Sequence, residues 1–242
     1  MSGVEPSNYN TMLAFLTGIS LFGIVLSSSF VFFFAGFEDD FAFRNLVVGS
    51  AFIAVCVLGL VAALFPSSCS AVPRARKSNT QNGFVSNMHK ESFRAHHPAC
   101  ENYRTHILHV GNRELCATCS GLAVGAVVAV IGACLYFFGI FSAGMPSVLV
   151  LIGAVGVALG LLQSAFPEFS NGSARFFASV FFVVGAFLML ISVDESLEST
   201  FVDLFLVTLS LLWIATKIAL SRRDHQRTCS QCSKFCVWRN LR

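Results

Sequence analysis

Thiols and imidazoles, the side chains that hold soft and borderline metal ions, are gathered into two segments of this chain. The first reads HPACENYRTHILHVGNRELCATCSGLAVG from His97 to Gly125. Within it, His97-x2-Cys100-x15-Cys116-x2-Cys119 sets two ligand pairs at either end of a 15-residue connection. A Cys-x2-Cys knuckle directs two sulfurs at one ion, and a second pair at this separation closes a tetrahedral zinc site. His96, His106 and His109 can each substitute for His97. The second segment reads His225-x3-Cys229-x2-Cys232-x3-Cys236. A segment that short cannot bury a core, so a bound metal would supply its folding energy. In an alternative arrangement, Cys229 and Cys232 join Cys116 and Cys119 in one all-thiolate site. Ligand softness and spacing make zinc the expected ion. A metal-free thiol pair is the second choice. An iron–sulfur cluster or haem is the third, since the spacing departs from the common ferredoxin run.

The distribution of cysteine sharpens this reading. Of nine Cys, Cys56 and Cys134 fall inside apolar runs and read as packing residues. The other seven, and all six His, fall in polar segments. Cys69 reads equally as a lipidation site or a bystander, and His89 as a solvated loop residue. The chain shows no grouping of nucleophile, base and orienter. It has no phosphate loop and no His-Glu-x2-His signature. These absences favour a binding protein over an enzyme.

The elements that carry these ligands belong in a membrane. Only 12% of the residues are charged, 26 are Phe and the mean hydropathy is +0.71. A soluble domain carries about 25% charged residues. A membrane helix needs about 20 mostly apolar residues, and six stretches qualify. They are Met12 to Ala35, Leu46 to Phe65, Leu122 to Phe141, Ser147 to Phe166, Phe176 to Val193 and Phe201 to Leu220. The first lacks a basic leader and a cleavage site, so it reads as a retained span. The expected fold is all-α, a six-helix transmembrane bundle with a Cys/His-rich cytoplasmic loop and C-terminal tail. Residues 1–65 supply two transmembrane helices, 66–121 the loop, 122–220 four more helices and 221–242 the tail.

Orientation follows from lysine and arginine in the short loops. The N-terminus, the 66–121 loop, the 167–175 turn and the tail share one basic side, and Arg44 alone lies opposite. The opposite loops are acidic, with Glu38, Asp39 and Asp40 in one and Asp194, Glu195 and Glu198 in another. Those acids read as solvated charge. The basic side is expected to be cytoplasmic, with both termini on it. Six crossings bring both Cys/His segments to that face, where thiols stay reduced and suit metal or redox chemistry better than disulfides.

Within the spans, Gly121 and Gly125, and Gly156 and Gly160, form small-xxx-small pairs that let helices approach closely. Ionisable groups are scarce at mid-membrane. Asp203 lies near the outer end of the sixth span, and Lys217 near the inner end, where it can snorkel. That scarcity argues against a transporter. Residues 66–87 are rich in Ser, Asn and Pro, with Arg74, Arg76 and Lys77, and read as a connector beside an anionic membrane surface.

The run from Cys100 to Gly125 orders its residues as C…R-T-H…G-x3-L-C-x-x-C-S-G…G. It resembles the DUF2085 family of integral membrane proteins. Members carry a Cys- or His-rich segment followed by a Cys-Ala-Arg-Cys-Thr-Gly-like knuckle that opens a transmembrane helix. Thr118 stands where the family usually has Arg, and the following aromatic is missing. The resemblance implies a multi-spanning protein with Cys100, Cys116 and Cys119 as ligands and His106 as a fourth. It implies no activity.

The expected function is that of a multi-pass membrane protein whose Cys/His cluster binds structural zinc and serves as an interaction or scaffold module. Its partners would be the lipid bilayer and a protein at the cytoplasmic face, with no nucleic acid. A membrane redox protein is the alternative, and a metal transporter or metal sensor the third reading.

Overall fold

The computed structural model describes residues 6–34, 42–64, 93–94, 97–98, 101–111, 113–139, 142, 144–166 and 171–230. Six helices dominate it. They are α1 (Pro6–Phe33), α2 (Arg44–Leu64), α3 (Ala117–Phe137), α4 (Pro146–Ala165), α5 (Gly172–Leu197) and α6 (Thr200–Ser230). All six contain a stretch long and apolar enough to cross a membrane. Between α2 and α3 lie two antiparallel pairs of short strands. β1 (Phe93–Arg94) pairs with β2 (His97–Pro98), and β3 (Ile107–Val110) with β4 (Arg113–Cys116). A 3₁₀ turn, Glu101–His106, leads into β3.

The outer faces of the helices are apolar. Phe15, Phe22, Leu58, Val155 and Phe201 all stand exposed. An apolar shell this extensive suits lipid rather than water as the solvent. Inside, Phe52, Phe182, Phe187, Met189 and Trp213 fill a core in which α5 is the most enclosed helix. Lipid gives no hydrophobic drive for helices to associate, so close backbone approach matters more. A methyl added at Gly153 would stand 2.6 Å from the carbonyl of Gly185, and one at Gly185 equally close to that of Gly153. The expected close packing at Gly121, Gly125, Gly156 and Gly160 holds, since each lies against α5. Gly139 lies beyond the end of α3, with φ +77, rather than within the span.

Two helices outrun their apolar stretches. α3 starts at Ala117, ahead of the expected Leu122, because hydropathy locates the lipid-crossing part and not the helix start. α6 continues ten residues past the expected end at Leu220, so the expected boundary of the tail lies inside a helix. The sequence Ser221-Arg-Arg-Asp-His-Gln-Arg-Thr contains neither Pro nor Gly to stop it.

The bundle interior holds more polar groups than the apolar runs suggested. Asp203, Ser210, Lys217 and Asp224 recur every seven residues on α6 and are all buried. Seven residues are close to two helical turns, so the four share a face. Lys217 does not snorkel. Its Nζ donates to Gly160 O at 2.8 Å and lies 4.9 Å from the centre of the Phe182 ring. The side chain faces α4 and α5 instead of the helix end, and the carbonyl replaces water as its acceptor. Ser27 and Ser28 donate to carbonyls of their own helix. Trp213 Nε1 donates to Ser20 O at 3.1 Å, and Ser20 and Thr216 hydroxyls bond at 2.9 Å, tying α1 to α6.

Candidate functional site

The strand pair, the 3₁₀ turn and the ends of three helices meet at one end of the bundle. β3 and β4 form a hairpin around Gly111, whose φ of +58 suits a tight turn. Its register sets Ile107 opposite Cys116. His106 is therefore one residue from the partner of Cys116. A methyl on Gly172, the first residue of α5, would stand 2.6 Å from Ile107 O, so α5 starts against this hairpin. Asn171 caps α5 by accepting from Ala174 N at 2.9 Å.

Cys116 ends β4 and is the N-cap residue of α3, with Cys119 in the first turn. Cys116 is buried and Cys119 half-buried.

A polar cluster joins the loop to the far part of α6. Arg175 Nη1 donates to Asp224 Oδ2 at 2.7 Å and lies 3.3 Å from His106 Nδ1. His106 Nε2 stands 3.6 Å from the same Asp224 oxygen. Because guanidinium only donates, Nδ1 of His106 is an acceptor here and Nε2 carries the hydrogen facing Asp224. His225 is anchored differently. Its Nδ1 lies 2.7 Å from Ser221 O and donates to it, which makes Nε2 the lone-pair nitrogen. A carbonyl holding one imidazole nitrogen is the usual support of a metal-ligating histidine. The rings of His106 and His225 are 5.4 Å apart, and Tyr103 packs against both at 5.3 and 6.0 Å. Tyr103 also donates to His225 O at 3.3 Å. Burial, and then the nearby Asp224 carboxylate, push its phenol up to about 12.

The expected ligands thus divide. His106 and His225, 119 positions apart, come together, and Cys116 pairs with Ile107, the residue after His106. His97 lies in β2, and Cys229 lies one turn beyond His225 on α6. Cys100, Cys232 and Cys236 are outside the described residues, as are Cys69 and His89. Among the described residues, no three His, Cys, Asp or Glu side chains are grouped to hold a metal on their own. Thiol and imidazole, the types of Cys116, Cys119 and His225, are each ligands that zinc accepts.

The opposite end holds a second cluster that the sequence reading missed. Arg44, the first residue of α2, donates through Nε to Asp203 Oδ2 at 3.1 Å. Through Nη2 it bonds Asp194 Oδ1, and Asp194 O at 2.8 Å. Tyr136 adds a hydroxyl to Asp194 Oδ2 at 2.7 Å. Asp194 is therefore not the solvated charge expected of it. It is 5% exposed, and Asp203 is fully buried. A cavity of about 340 Å³ adjoins this cluster, with Arg44, Tyr136, Asp194, Glu195 and Glu198 in its wall. The available signal was the lone Arg44 among acidic loops. Only a fold could show that it starts a helix beside Asp194 and Asp203.

No family model, curated protein or solved structure matches this chain.

Proposed function

We propose that this multi-pass membrane protein binds a structural metal ion, zinc by its ligand chemistry, where its Cys/His loop meets the extension of α6. The observation that carries the reading is the meeting of His106 and His225 around Tyr103, next to the strand end that bears Cys116. Cys116 and Cys119 would hold the ion, completed by thiols from Cys100, Cys229, Cys232 and Cys236 and by an imidazole from His225 or His97. His106, whose nitrogens face Arg175 and Asp224, positions the assembly instead of binding the ion. The metal would supply cross-linking free energy to a polar segment with little core of its own. The closed, basic surface so formed faces the cytoplasm and serves as an interaction or scaffold module for a protein partner or lipid headgroups. The likeness of residues 100–125 to DUF2085 proteins agrees with a membrane protein of this kind.

Elemental analysis of the purified protein tests the proposal. Stoichiometric zinc is expected, and it should fall in Cys116→Ser and in Cys232→Ser. If both variants lose the same ion, the loop and tail share one site. Protein with only trace metal, colourless and fully folded, would end the proposal. An iron signal with bleachable colour would replace it with the redox reading.

A further inference from the structure

The cluster at the end of the bundle away from the cysteines has an imbalance of charge. One guanidinium, Arg44, faces two buried carboxyls, Asp194 and Asp203. The adjacent donors Nε and Nη2 of a single planar fork hold one oxygen of each, which brings the two carboxyls side by side. Like charges that close, away from water, do not both remain ionised.

The hydrogen bonds show which carboxyl gives way. Asp194 is supplied at both oxygens, by Arg44 and by Tyr136 at 2.7 Å. Asp203 has Arg44 on Oδ2 only, at 3.1 Å. Its Oδ1 is buried with no hydrogen-bond partner among the described residues. A bare carboxylate oxygen in an apolar interior is costly, whereas a protonated one is a neutral hydroxyl. Among the described residues, the surrounding elements supply no other cation. α2 contributes Arg44, α3 contributes Tyr136, and α5 contributes Asp194 and Glu195, with Glu198 just beyond its end. The α1 stretch 10–34 and α4, both of which pack on α6, contain no ionisable side chain.

We propose that the Asp194–Asp203 pair is a binding site for one proton, carried on Asp203 Oδ1, with Arg44 neutralising the charge that remains. The loaded site is neutral: one guanidinium, one carboxylate and one carboxylic acid. The adjoining cavity, with Asp194 in its wall, gives the proton a polar route to that end of the bundle. Intramembrane acids in such settings are the working groups of proton-coupled membrane proteins.

Infrared difference spectroscopy on the full-length protein in lipid nanodiscs tests this. Titration from neutral to alkaline pH should remove the carbonyl band of a protonated carboxylic acid, and ¹³C-labelled aspartate should shift that band. Asp203→Asn should abolish it, while Glu195→Gln should keep it. The band should be equally strong in sodium, potassium and choline buffers. No isotope-sensitive acid band in the wild-type protein at neutral pH overturns the proposal. So does a band that survives in folded Asp203→Asn. A band that appears only when sodium is withheld overturns it in favour of an alkali-cation site. The wild-type titration decides the matter even if the variant fails to fold.

Discussion

Each end of the bundle holds an arginine against aspartate, but the two ends differ by one carboxylate. At the loop end, Arg175 meets Asp224 one to one, and His106 lies between them with a donor on one side and an acceptor on the other. At the opposite end, Arg44 is divided between Asp194 and Asp203. A balanced buried pair is a clasp, which holds segments that the apolar core does not hold. An unbalanced one is left with a charge that the low-dielectric interior opposes, and it takes up a cation to remove it. The same residue types thus give a structural joint at one end and a binding site at the other.

Removing each arginine's role in turn tests the contrast. Arg44→Met leaves a buried carboxylate without its cation and should cost about 3–5 kcal/mol. Denaturant-driven loss of helix in detergent would measure it. A near-wild-type transition would mean that water reaches both acids and that the cluster is not buried in the membrane. Asp224→Asn should cost less, about 1–3 kcal/mol, because Asn keeps one acceptor for Arg175. Its effect should be confined to the loop end. Amide exchange should rise at residues 101–110 and 221–228 and stay unchanged around Asp194. Exchange that rose at both ends alike would show that the two clusters are one cooperative unit.

The smallest effect is a pH dependence. The buried Tyr103 favours its neutral form, so its phenol is pushed up to about 12. Its contribution to stability is complete below the ordinary value of about 10. It fades as pH rises from there through about 12. Tyrosinate absorbance, with Tyr103→Phe subtracted, should show this late titration. Asp224→Asn removes the smaller of its two causes and should bring it to slightly lower pH. A titration at the ordinary tyrosine value would mean that Tyr103 is solvated and the loop end is open.

Much of the architecture was legible without coordinates. Six apolar stretches give six helices, since crossing lipid requires both length and internally satisfied backbone groups. The helix ends were less legible. Ala117–Gly121 and Ser221–Ser230 are too polar for a hydropathy reading yet continue α3 and α6. The buried polar face of α6 was written in its seven-residue spacing, from Asp203 through Ser210 and Lys217 to Asp224, but an apolar reading of the span passes over it.

By itself the sequence determined that the chain is built for lipid and how many apolar helices it has. These are local matters, decided by composition over a few turns of chain. The tertiary structure alone decided that His225 lies beside His106, that Lys217 turns inward to a carbonyl of α4, and that Arg44 serves two acids from other helices. Those depend on which helix faces pack together. A charge's partner across more than a hundred residues is fixed by close packing, which no window along the chain contains.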